Sequence, residues 1–266
     1  MKSIVIGLMF HVFAVSCYGQ LATPGAAGLR FGHVHLNVSD VDAHVRLWTT
    51  YFGGEQIQIE SMTAIKFANV VVVLNPQIPT LGSRETVMDH FGFKVRNIDT
   101  FLASWREAKL EAGDVFTGAE GQSNAYVMLP DGVYVELQED QGLSQEVTGY
   151  HVHLYTPNPQ ELLDWYSSIL EIEIKPRGSI STTTNVPGQN LSFARSNEPR
   201  KPTQGSSIDH IGFEVNDLPR FVSDLEAKGV VFHQPMQRLP NSQIKSVFFT
   251  DPAGTLIELT EGLEHY

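Results

Sequence analysis

The run GHVHLNVSD, Gly32–Asp40, returns three more times, as DHFGFKVRN from Asp89, YHVHLYTPN from Tyr150 and DHIGFEVND from Asp209. Each copy has histidine second, a large apolar residue three places later, and Asp or Asn at the end. Alternation over six or seven positions reads as a half-buried strand, and the closing Asp or Asn as a helix N-cap. Each copy therefore opens a strand that runs into a helix.

The helices that follow, VDAHVRLWTTYFGG, IDTFLASWREAKLEAG, PQELLDWYSSILEIE and LPRFVSDLEAKG, carry apolar residues at helical spacing. Gly closes three of them. Trp48, Trp105 and Trp165 fall on their apolar faces and read as core. Short β-type runs come next, among them AIKFANVVVVLN, AYVMLPDGVYVELQED, NLSFARS and SVFFTDPAGTLIELTEG, broken at PDG and DPAG. The chain is thus four repeats of βα followed by strands. Polar linkers place modules at about 28–75, 86–140, 147–196 and 206–262. The economical grouping is two domains, 28–142 and 147–264.

The second and fourth modules end alike, in PDGVYVEL and PAGTLIEL, which set Glu136 and Glu258 at the same point of a closing strand. Each domain so defined holds two module-opening histidines and one closing glutamate. If first and last strands of paired modules line one concave sheet, these side chains converge. Two imidazoles and a carboxylate suit a divalent transition metal with open positions. A lone strand histidine is usually core or edge, and a strand glutamate usually faces solvent. Their joint repetition favours a metal.

Composition narrows the rest. Net charge is −12 with no basic run, which argues against nucleic acid. Met1–Gln20 gives one basic residue, an apolar run and small residues, the arrangement of a secretory signal peptide over residues 1–19. No later stretch reaches the roughly 20 apolar residues of a spanning helix. The single cysteine, Cys17, lies in this leader in a poor lipoprotein context, so any metal site uses His, Asp or Glu. Secretion or a periplasmic location is expected.

These motifs resemble the vicinal oxygen chelate superfamily, which includes glyoxalase I, extradiol dioxygenases, methylmalonyl-CoA epimerase and the bleomycin and fosfomycin resistance proteins. The resemblance implies an α+β fold of four βαβββ modules, paired into two cup-shaped mixed β-sheet halves. It implies metal ligands His33, His90 and Glu136 in one site and His151, His210 and Glu258 in the other. The closing strands of the first and third modules lack the fourth carboxylate ligand of glyoxalase I, which points toward the extradiol type and Fe(II), with Mn, Ni, Co or Zn also accommodated. Tyr126 stands where that type has a tyrosine before its glutamate ligand, and Phe248 fills the same place in the second half. Asn75 and Arg195 stand where it has an acid–base histidine.

His35 and His153, two residues beyond a ligand position and about 7 Å along the strand, read as acid–base or supporting residues. Alternatively, His35 packs or replaces His33 as ligand. They are expected to lie opposite the empty positions Gly92 and Gly212. The expected function is a metal-dependent protein acting on a small oxygen-rich molecule, dioxygenase-like ahead of isomerase or lyase. A metal-free binding protein and a glyoxalase I-like lyase are the alternatives. A homodimer is compatible with a fold whose modules can exchange between chains.

Overall fold

The computed structural model describes residues 21–266, so the expected leader at 1–19 lies outside the described residues. The first module comprises β1 (Leu29–Val38), α1 (Val41–Thr50), β2 (Glu55–Ile59), β3 (Met62–Lys66) and β4 (Val71–Pro76). The second comprises β5 (Met88–Val95), α2 (Ile98–Glu107), β6 (Phe116–Thr117), β7 (Ser123–Leu129) and β8 (Val133–Glu139). The third runs β9 (Val147–Thr156), α3 (Pro159–Leu170), β10 (Glu173–Ile174), β11 (Thr184–Asn185) and β12 (Asn190–Arg195). The fourth runs β13 (Ile208–Val215), α4 (Leu218–Ala227), β14 (Gln237–Arg238), β15 (Lys245–Thr250) and β16 (Leu256–Glu261).

Three helices begin as their capping residues dictate. Asp40 accepts from Ala43 N at 2.9 Å, Asn97 from Thr100 N at 2.7 Å and Asp217 from Arg220 N at 3.1 Å. Asn158 makes no such bond, and α3 relies on Pro159 in its first turn. No helix among the described residues is long and apolar enough to cross a membrane.

The modules pair differently from the grouping read in the sequence. One curled sheet has the order β14-β15-β16-β13-β1-β4-β3-β2, so the first and fourth modules share it. The other is β12-β9-β5-β8-β7-β6, built from the second and third modules, with β10 and β11 set apart as a two-stranded ribbon. The cups are therefore outer (first and fourth) and inner (second and third), not 28–142 and 147–264. Modules adjacent in the chain meet instead through their apolar backs. Trp48 stacks on Phe91 at 5.8 Å, Tyr51 meets Trp105 edge-on at 5.1 Å, and Trp165 lies 6.3 Å from Phe249. Trp48 and Trp105 are fully buried, and Trp165 is half-buried against the same core.

Alternation does not hold along the central strands. In β1, Leu29 and Phe31 face the core, but so do Val34, Leu36 and Val38, so the facing parity switches at Gly32–His33. The register shifts there, from Phe31↔Phe213 to His33↔Gly212, and again where His35↔His210 passes to Leu36↔Ile208. In the inner cup β5 and β9 shift at the equivalent places, around Asp89 and Tyr150. An extra residue at such a shift re-aims its neighbour. Here the shifts turn the histidines onto the concave face while the flanking apolar residues stay in the core.

Candidate metal centres

The outer cup brings together His33 from β1, His210 from β13 and Glu258 from β16. Glu258 Oε2 lies 2.9 Å from His33 Nε2 and 3.2 Å from His210 Nε2. The inner cup brings together His151 from β9, His90 from β5 and Glu136 from β8. Glu136 Oε2 lies 2.9 Å from His90 Nε2 and 3.0 Å from His151 Nε2. All six predicted ligands are thus in sites, but the expected sets are not: His33 joins His210 and Glu258, and His151 joins His90 and Glu136. The second and fourth modules present the same His and Glu, and the sheets exchange one for the other.

The glycines serve the ligands themselves. His33 lies opposite Gly212 and His151 opposite Gly92, and a Cβ on either glycine would overlap the facing imidazole. His35 and His153 instead face His210 and His90. The expected opposition of His35 and His153 to Gly92 and Gly212 is therefore not found: the facing strands pair antiparallel without a shift over these residues, so each glycine falls opposite the first histidine and the second histidine faces His210 or His90.

The sequence reading gave Asp89 and Asp209 no role. Asp89 Oδ1 holds His90 Nδ1 at 2.7 Å, and Asp209 Oδ1 holds His210 Nδ1 at 2.6 Å. Neighbours along a strand normally point to opposite faces, and the extra residue at the register shift lets both reach one side. Such carboxylates orient a ligating imidazole and fix its tautomer. The signal was the dipeptide Asp-His, present in the second and fourth modules alone.

Burial pushes Glu258 up, but bonds from His210 and His33 outweigh it and hold the carboxyl far below the usual range. Glu136 is held low in the same way by His151 and His90. Burial opposes the charge on His210, yet Asp209 and Glu258 raise it to about 9. His90 is raised by Asp89 and Glu136 against the same burial. Each glutamate is thus an ionised carboxylate gripped by two buried imidazole N–H groups, where a divalent cation could replace the protons. The donor sets fit a metal with nitrogen and oxygen ligands.

A third histidine approaches each centre, His153 the inner and His35 the outer. In the inner one, ligand atoms of His90, Glu136, His151 and His153 all lie within 4.8 Å of one another. Glu136 Oε1 also accepts from Asn124 at 2.6 Å. Tyr126, which pairs with Glu136 across β7 and β8, sets its ring 5.2 Å from His90 and stacks between Phe116 and Tyr134. Burial and then the Glu136 charge push its phenol well above the usual tyrosine range. Beside His151, Glu120 accepts from Tyr150 at 2.6 Å and from Arg177 at 3.0 Å.

The outer centre opens to solvent-accessible space. A cavity of about 250 Å³ adjoins His33, His35, His210 and Glu258. A second, of about 520 Å³, begins on the other side of His35 and His210. His35 lies ring-on-ring with His210, centroids 4.3 Å apart. Burial and the neighbouring His210 and His33 press it to about 3, which keeps it neutral. Val71 and Val73 of β4 pair with His33 and His35 and offer no fourth carboxylate. Phe248 sits where the inner cup has Tyr126, its ring 5.3 Å from His210. Asn75 donates to Asn37 at 2.8 Å beside this centre, whereas Arg195 is exposed and bonds the Pro157 carbonyl.

Residues 150–259, the third and fourth modules up to β16, match the family model described as the glyoxalase/bleomycin resistance protein/dioxygenase superfamily. Over 89% of this chain and 94% of the other, glyoxalase I from Zea mays superposes with a TM-score of 0.68 at 17% identity. The chain has the vicinal oxygen chelate fold. A single-substitution mutant of the maize enzyme gives a TM-score of 0.71 at 15% identity, covering 90% of this chain and 95% of that one. A Bacillus subtilis protein whose naming as a dioxygenase is provisional gives 0.65 at 12%, covering 92% and 86%. At such identities the likeness is one of fold, and a vicinal oxygen chelate fold hosts several chemistries. No curated protein sequence matches the chain.

Proposed function

We propose that this is a divalent-metal enzyme whose working centre is the outer site, acting on a small molecule through two adjacent oxygens. The carrying observation is the asymmetry between the cups. His153 approaches the inner set and His35 the outer, but two cavities adjoin the outer set, and a working site keeps positions open beside three protein ligands. His33, His210 and Glu258 are such a set, with cavities on both sides. A metal held there would polarise the paired oxygens as a Lewis acid and, as Fe(II), could also engage dioxygen. The absence of a carboxylate from β4 favours dioxygenase-like oxidation over isomerase or lyase chemistry.

His210 is oriented by Asp209, and Glu258 completes the anionic side of the set. His35, held neutral, offers one N–H and one lone pair to a bound substrate oxygen. It is poorly suited to storing a proton, since forming imidazolium there is costly. The leader supports export, so the enzyme would work outside the cytoplasm.

Metal content and dioxygen uptake are the test, on protein prepared without oxygen, loaded with Fe(II) and offered a catechol panel. The expected result is two metals per chain, with Glu258→Ala losing one metal and all turnover. Turnover abolished by Glu136→Ala with the metal of the outer cup intact would move the working centre inward. Failure to load any divalent metal would overturn the reading and leave a binding protein.

A further inference from the structure

The two cavities flanking the outer centre are chemically unlike. The smaller is walled mainly by Ile59, Met62, Val73, Ile244, Phe248 and Leu263, with Gln237, Arg238 and Thr260 also lining it. The larger is lined by Asn37, Asn75, Gln77, Gln204 and Gln234, with Asp209 and His233, and no Lys or Arg faces it. His35, His210 and Phe248 line both, so the spaces meet at the candidate metal centre. The smaller falls just below, and the larger within, the usual size range of small-molecule cavities.

We infer that the substrate of the outer site is an amphipathic molecule with its two adjacent oxygens in the middle and no negative charge on its polar arm. Its apolar arm, a ring or short chain, fills the smaller chamber, and a hydroxyl-rich arm enters the larger. This inference deepens the proposed function and rests on it.

Two features exclude an anionic arm from the larger chamber. A carboxylate or phosphate entering the larger chamber would be desolvated with no cation to receive it. It would also approach the Asp209 carboxylate, which already accepts from His210 Nδ1, Asn37 and Gly205 N. Side-chain amides, by contrast, both donate and accept and match hydroxyl groups. Asn37 is already committed to Ser206 O and Asp209, and Asn75 donates to Asn37. The reading of the arm therefore falls to the exposed Gln77, Gln204 and Gln234. In the apolar chamber, burying a ring against aliphatic and aromatic walls supplies affinity without direction, leaving selectivity to the amide side.

Calorimetry on Zn(II)-loaded protein tests this, because zinc is redox-inert and binding is read without turnover. Three probes share a catechol ring: 3-propylcatechol, a catechol bearing a glucosyloxymethyl group at its 3-position, and 2,3-dihydroxybenzoate. The glucoside should bind at least ten-fold more tightly than the dihydroxybenzoate. Gln77→Ala with Gln234→Ala should erase its advantage over 3-propylcatechol while metal content stays unchanged. Ile244→Asp should weaken all three catechols at unchanged metal content. Equal binding of the three probes, or preference for dihydroxybenzoate, by fully metal-loaded protein would overturn the inference and leave the metalloenzyme reading standing. Failure to take up zinc would overturn that reading, and the inference with it.

Discussion

At Gly212 one added methyl group would claim the space of the His33 ring. Gly212→Ala should therefore displace a ligand without touching a ligand's chemistry, removing one metal per chain and sparing the inner centre; atomic absorption on the purified variant reads it. A second prediction concerns protons. In the metal-free protein His210 is raised from 6.5 to about 9. Stability from its bonds to Asp209 and Glu258 is fully present below the unfolded value and is lost as pH rises through the folded one. Urea midpoints of the metal-free protein should accordingly fall between about pH 6.5 and 9, and Asp209→Asn should flatten that slope. Metal should bind more tightly over the same window, since fewer protons must leave. The residue scale is also where the sequence was most legible. All six predicted positions are brought into one or other cluster, because a fourfold repeat makes each histidine interpretable through the others. Asp89 and Asp209 escaped because strict alternation would send an Asp beside a ligand His to the opposite face.

Among the elements, α1 and α3 offer a matched comparison. Asp40 caps α1 with a side-chain bond, and Asn158 makes none at α3. Asp40→Ala should cost about 1 kcal/mol, and Asn158→Ala should cost much less; chemical denaturation separates them. Strand and helix order was readable from periodicity and caps. The register shifts were not, since each depends on how two strands meet across the concave surface. The third module departs most from the pattern. Its segment IEIKPRGSISTTTNVPG is rich in Pro, Gly and Ser, and only the short ribbon of β10 and β11 forms there. The chain between these strands runs toward the second module, with Ser179 N bonded to Ala119 O and Arg177 to Glu120.

For the whole molecule, the pairing of first with fourth and second with third modules makes a sharp prediction. His33→Ala with His210→Ala should remove one metal, no more than either alone, whereas His33→Ala with His90→Ala should remove both. Metal counting on the two double variants decides between this arrangement and a grouping by chain order. The grouping by halves was not arbitrary, since adjacent modules do pack through Trp48, Phe91 and Trp105 and through Trp165 and Phe249. Sequence could not choose between partners for the sheets, because both even-numbered modules carry Asp-His, a glycine two places on, and the same closing glutamate.

The crossed pairing also orders events in time. The inner cup joins β5 to β9, neighbours in the chain, whereas the outer cup waits for β13 to return to β1 across both intervening modules. Closing the longer loop costs more chain entropy and comes later. As the polypeptide emerges from N- to C-terminus, the inner centre can assemble while the fourth module is still being made. The outer one cannot exist until that module arrives, so an interrupted chain would complete the inner cluster alone.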